Sequence, residues 1–123
     1  WFIQEGYLNI FLEGNKISFI NFIRDNILAG REVCIWGAGF NGRILVDFFC
    51  DNGLMISSVL DMDKSKEGTY IGEHKIRLPG TLLNKTDKKY LVIVSSIAAI
   101  ESANKLRQES VNDIVIVDIY AVL

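Results

Sequence analysis

Residues 33–42 constrain this chain more than any other stretch. The unbroken apolar run Val33-Cys34-Ile35-Trp36 leads straight into Gly37-Ala38-Gly39-Phe40-Asn41-Gly42, and an amphipathic segment carrying Ile44, Leu45, Phe48 and Phe49 follows at once. A short apolar run bounded by glycine suits a strand covered on both faces, and apolar spacings of three and four predict a helix. Strand, glycine turn and helix in immediate succession predict a βα unit whose first helical amides face an anion. In that context Gly37 allows the tight turn, Gly39 lets the backbone approach a diphosphate, and Gly42 lets the helix lie close on the strand. Ala38, Phe40 and Asn41 of the same loop are candidate contacts beside them. The competing reading is a strand-to-helix turn that keeps its shape and binds nothing.

Beyond the loop, Leu91 to Val94 and Ile114 to Val117 repeat the unbroken apolar pattern, and Ile100, Ala103 and Leu106 form a second helical stripe after Ser96. The stretch Ile56 to Leu60 is interrupted by Ser57 and Ser58, which places it nearer a sheet edge; residues 75–78 are a short further strand ended by Pro79-Gly80. Short apolar runs alternating with amphipathic segments predict an α/β fold. The expected arrangement is a Rossmann-like parallel sheet of order 3-2-1-4-5 with helices on both faces. Two helices precede it, Trp1 to Leu12 and Ile17 to Leu28, with Gly30 at a left-handed C-cap. The chain thus divides into a helical segment, 1–30, and a nucleotide-binding domain, 31–123.

Residues 1–28 carry more apolar side chains than one buried face needs, among them Trp1, Phe2, Ile3, Tyr7, Ile10, Phe11, Ile17 and Phe22. They are expected to pack against a second copy of the chain or an upstream catalytic domain; the alternative is that both helices fill the open face of the sheet. The start at Trp1 is consistent with a longer parent chain. Thirteen basic and 15 acidic residues leave a net charge of −2, which gives no footprint for nucleic acid or an anionic membrane. No apolar run reaches the roughly 18 residues of a membrane span, and a cytoplasmic location is expected. Two cysteines, Cys34 in a strand and Cys50 at a helix end, make neither a disulfide framework nor a metal cluster.

Asp61 stands 24 positions after Gly37, at the tip of the second strand, where a carboxylate accepts both hydroxyls of an unmodified ribose. An exposed turn residue is the plain alternative. Ser95 and Ser96 follow the strand Leu91 to Val94 and point to the crevice where strand order reverses; Ser96 serves equally as the N-cap of the next helix. Asp118 and Tyr120 lie at the same rim. Asp63 adds a carboxylate without a ligand cluster, Lys64 and Lys66 lie nearby, Cys34 and Trp36 read as core, and His74 as a surface turn residue. No Tyr-x-x-x-Lys pair, Ser/His/Asp set or P-loop lysine is present, so no residue has an evident catalytic role.

The run Val33 to Gly39 with its helix, then Leu60-Asp61-Met62-Asp63-Lys64, then Lys66-Glu67-Gly68-Thr69-Tyr70-Ile71, resembles the C-terminal domain of bacterial sugar C-methyltransferases. It also resembles the nucleotide-sugar-binding domain that precedes the catalytic part of certain sugar acetyltransferases. The resemblance covers about residues 31 to 120. It implies a noncatalytic module that holds a nucleotide sugar, with Gly37, Gly39 and Gly42 near the phosphates and Asp61 near the nucleoside. The alternatives are the NAD-binding half of an oxidoreductase and a degenerate module kept for domain packing.

Overall fold

In a computed structural model, the structure describes residues 2–83 and 87–119, with side chains from residue 8 to 82 and from 87 to 119. Two helices open it, α1 (Phe2–Gly14) and α2 (Lys16–Leu28). They part at Asn15, whose side-chain amide donates to the Phe11 carbonyl at 3.0 Å. At the end of α2, Gly30 takes φ +89°. Its N–H donates to Ile27 and that of Arg31 to Asn26, both at 3.0 Å, so the last carbonyls of the helix are satisfied.

The sheet then builds from β1 (Glu32–Trp36), β2 (Ser58–Leu60), β3 (Tyr70–Ile71), β4 (His74–Arg77), β5 (Lys89–Val94) and β6 (Asp113–Asp118), with α3 (Phe40–Asp51) and α4 (Ile100–Glu109) between strands. The order is β3-β4-β2-β1-β5-β6, and every pairing is parallel except β3 with β4. The fold is therefore α/β with a mostly parallel sheet. It departs from the five-strand arrangement expected from sequence by the added strand β3, which turns back on β4 through Gly72 at φ +56°. Two residues are too few for periodicity to mark a strand. His74 opens β4 opposite Ile71, so it is a strand residue and not a turn residue. β2 lies between β1 and β4, inside the sheet, because Val59 and Leu60 are fully buried while the serines stay at its amino end.

Strand alternation sorts the core into two layers. Val33 and Ile35 of β1 join Leu8, Leu12, Phe19, Ile23, Leu45 and Phe49, so α1, α2 and α3 cover one face. Cys34 and Trp36 join Leu60, Val94, Ala103 and Leu106, so α4 covers the other. The N-terminal helices thus lie on the sheet, and Phe11 meets Phe19 edge to face at 5.9 Å. Ile10, Ile17, Phe22 and Leu28 still face outward. The side chains of Trp1, Phe2, Ile3 and Tyr7 lie outside the described residues. Arg31 locks the amino ends together, donating to the Tyr90 carbonyl at 3.1 Å and pairing with Asp113 at 3.1 Å. No helix among the described residues is long and apolar enough to cross a membrane.

Candidate functional site

The carboxyl ends of β1, β2 and β5 meet at the glycine loop, and the loop's shape comes from three neighbours. The Gly37 N–H donates to the Leu60 carbonyl at 2.7 Å, which ties the loop to β2. Ser95, buried at the end of β5, donates its hydroxyl to the Gly37 carbonyl at 2.9 Å, with the Trp36 carbonyl at 3.2 Å. Asp61, at the end of β2, accepts the Ala38 N–H on Oδ2 at 2.8 Å and the Asp63 N–H on Oδ1 at 2.8 Å.

The three glycines are glycine for different reasons. Gly37 has φ +120°, and a Cβ there would lie 2.4 Å from the Ser95 hydroxyl. A Cβ on Gly42 would lie 1.8 Å from the Gly37 carbonyl oxygen, so helix and strand touch backbone to backbone. Gly39 caps α3 at φ −88°, a backbone open to any residue, and a Cβ there meets nothing within 4 Å. Among the described residues, neither packing nor conformation requires glycine at position 39.

Gly37, Ala38, Gly39, Phe40, Asn41 and Gly42 surround the start of α3, whose first amides lack partners along the helix. Ala38 and Asn41 are buried, whereas Phe40 is exposed. Ser95 supports the loop from below. Ser96, half-buried beside Gly37, occupies the N-cap of the 3-10 turn Ile97–Ala99 without capping it through its side chain. Its hydroxyl thus remains a candidate ligand contact. Lys66 lies 3.8 Å from Asp61 Oδ2 and offsets its charge. Asp63 serves the next turn, accepting from the Ser65 N–H at 2.9 Å and hydroxyl at 2.7 Å, bonds that hold its carboxyl below the usual value. Asp118 ends β6, and Tyr120 lies outside the described residues.

Two further residues border this end of the fold. Met62 and Ile97 are exposed, and each directly follows a candidate site residue, Asp61 and Ser96. Together with Phe40 they bring apolar surface to all three loops. Adjacency to the polar candidates was the sequence signal for them. No group of three His, Cys, Asp or Glu among the described residues is arranged to hold a metal. Cys34 is fully buried with Sγ 3.6 Å from the Ser58 hydroxyl, and burial pushes its thiol up to about 11. It is a core residue, unsuited to nucleophilic work near neutral pH.

The bonds of Asp61 make it a structural residue whether or not it meets a ligand. Asp61→Ala leaves the Ala38 and Asp63 N–H groups without their acceptor. The unliganded protein is expected to lose about 1–3 kcal/mol, read from urea unfolding. Unchanged stability would show that the carboxylate does not hold the loop.

No protein-family model and no curated protein matches the chain.

Proposed function

We propose that the carboxyl end of the sheet binds the diphosphate of a nucleotide, and that the chain is a noncatalytic nucleotide- or nucleotide-sugar-binding module of a larger enzyme of sugar or glycan biosynthesis. The carrying observation is Gly39: Gly37 and Gly42 are explained by close contacts within the protein, whereas no described residue comes within 4 Å of a Cβ built on Gly39. A backbone bare at a helix N-terminus is what an approaching phosphate needs. Asp61 supports the reading as well. Each carboxylate oxygen has further acceptor capacity after accepting one N–H, enough for the hydroxyls of an unmodified ribose.

The sugar-biosynthesis assignment rests on the resemblance of Val33 to Gly39 and Leu60 to Ile71 to the accessory domains of sugar C-methyltransferases and acetyltransferases. Within such an enzyme, the outward Ile10, Ile17, Phe22 and Leu28 offer α1 and α2 as the side that meets an upstream catalytic domain or a second copy. A module kept for packing is the second reading, favoured by the Ala38 N–H already being taken by Asp61.

Thermal unfolding with NAD, NADP, S-adenosylmethionine and several nucleoside diphosphate sugars decides between them. A ligand at about 100 times its Kd stabilises by about 2.7 kcal/mol, a readily measured rise in midpoint. A nucleoside diphosphate sugar is expected to raise the midpoint of the parent. Gly39→Val is expected to abolish the rise while melting like the parent without ligand. A selective rise with NAD would favour the oxidoreductase half instead. No rise with any of them, or full binding by the variant, leaves the loop a packing element.

A further inference from the structure

The sheet face that carries Cys34 and Trp36 changes character along its strands. Toward the carboxyl ends, Trp36, Leu60, Val92 and Val94 are buried and apolar. At the amino ends the same face presents Glu32, Ser58 and Tyr90, positions that strand alternation places together. The connection from β4 to β5 includes the five-residue 3-10 helix Pro79–Leu83. Between it and the polar strand ends lies a cavity of about 440 Å³, bordered by Glu32, Ser57, Ser58, Arg77, Lys88 and Tyr90. That volume falls in the range of about 300–1,000 Å³ typical of small-molecule sites.

Hydrogen bonds tie the described walls together. Asn112 is buried and donates to the Leu82 carbonyl at 2.7 Å, holding the 3-10 helix, and its carbonyl oxygen accepts the Lys88 N–H at 3.4 Å. Lys88 in turn pairs with Glu32 at 3.1 Å. Against this satisfied frame, two donors stand out. Tyr90 lines the cavity and is only 5% exposed as a residue; its hydroxyl has no hydrogen-bond partner among the described residues and is not one of the sealed polar atoms, so it opens to the cavity. Burial and the nearby Glu32 raise its titration point, so it remains an O–H donor. The Arg77 guanidinium likewise has no ion pair or hydrogen bond among the described residues. Among the described residues that border the cavity, the one carboxylate, Glu32, is already paired with Lys88.

A cavity that holds a planar cation with no partner among the described residues, an accessible tyrosine hydroxyl and two serines has donors in excess of acceptors. Its complement is a ligand rich in acceptors. We propose that this cavity is a second ligand site, separate from the glycine loop, which takes a small molecule bearing a carboxylate or phosphate group. Arg77 is the ionic partner and the Tyr90 hydroxyl the second donor. A guanidinium fork matches the paired oxygens of either anion.

Nuclear magnetic resonance of the ¹⁵N-labelled chain, titrated separately with inorganic phosphate and with malonate at constant ionic strength, tests the site and tells the two anions apart. Saturable shifts at the amides of Ser57, Ser58 and Tyr90 are expected with at least one of them. Arg77→Gln, at an exposed position, is expected to weaken that binding about tenfold, and Tyr90→Phe to weaken it less. Gly39→Val is expected to leave it unchanged, since the site does not depend on the glycine loop. The proposal is overturned if neither anion gives saturable shifts at tens of millimolar, if the shifts appear only at residues 37–42, or if Arg77→Gln binds as the parent does.

Discussion

Gly42→Ala is expected to destabilise the protein by about 3 kcal/mol or more, although it adds a single methyl group to a helix. The added carbon would lie 1.8 Å from the Gly37 carbonyl oxygen and 2.9 Å from its carbon, so backbone must move. Neither partner yields easily. The Gly37 carbonyl accepts from the buried Ser95 hydroxyl, and the Gly37 N–H is held by Leu60. On the other side, Leu45, Val46 and Phe49 seat α3 in the core. Intrinsic helix propensity favours alanine over glycine by about 1 kcal/mol, so the sign of the change itself decides between close packing and propensity. Gly39→Ala is the control: its ordinary backbone and open surroundings keep it within about 1 kcal/mol of the parent. Urea unfolding of the two variants gives both values. If Gly42→Ala is as stable as Gly39→Ala, the backbone contact between helix and strand does not exist in solution.

This contrast also shows what a glycine motif does and does not say. The pattern Gly37, Gly39, Gly42 is legible because its signals are local: an apolar run, a turn that excludes Cβ atoms, and an apolar stripe at helical spacing. The same locality made α1, α2 and the C-cap at Gly30 readable. What the residues bond to is another matter, because it depends on chain segments far apart. Asp61 stands where a ribose contact is expected, yet its oxygens already accept from Ala38 and Asp63, and no spacing rule distinguishes a ligand from a backbone amide as the donor. Ser95 reads as a rim hydroxyl but lies beneath the loop, because parallel pairing sets Trp36 beside Val94 and so brings the next residues of both strands together. The Arg77 and Tyr90 cavity has no sequence signal at all. Its floor comes from alternate positions of β1, β2 and β5, whose shared face exists only once the register is set. Strand β3 escaped for the opposite reason: its two residues are too short to show any period.

Alkaline pH is expected to weaken the fold through Cys34, at a position the glycine loop does not involve. In the unfolded chain this thiol titrates near 9.0, and in the folded protein burial pushes it up to about 11. Between those values the unfolded state has lost a proton that the folded state retains. The unfolded state then binds fewer protons, so stability falls as pH rises through this window. Below pH 9 both states hold the proton and Cys34 adds no pH dependence. The expected loss is about 1 kcal/mol by pH 10 and about 2 kcal/mol by pH 11. Tyr90, raised in the same direction by burial and by Glu32, adds to the slope at the upper end. Urea unfolding of the parent and of Cys34→Ala at pH 8, 10 and 11 isolates the thiol. The variant starts less stable, having lost a buried side chain, and the gap between the two proteins should narrow as pH rises. The reactivity of the two thiols checks the same point independently: at pH 8 an alkylating reagent should label the exposed Cys50 in the folded protein and reach Cys34 only on unfolding. A gap that stays constant from pH 8 to 11, or rapid labelling of Cys34 in the folded state, would mean that the β1 thiol is not sealed between the strands and α4.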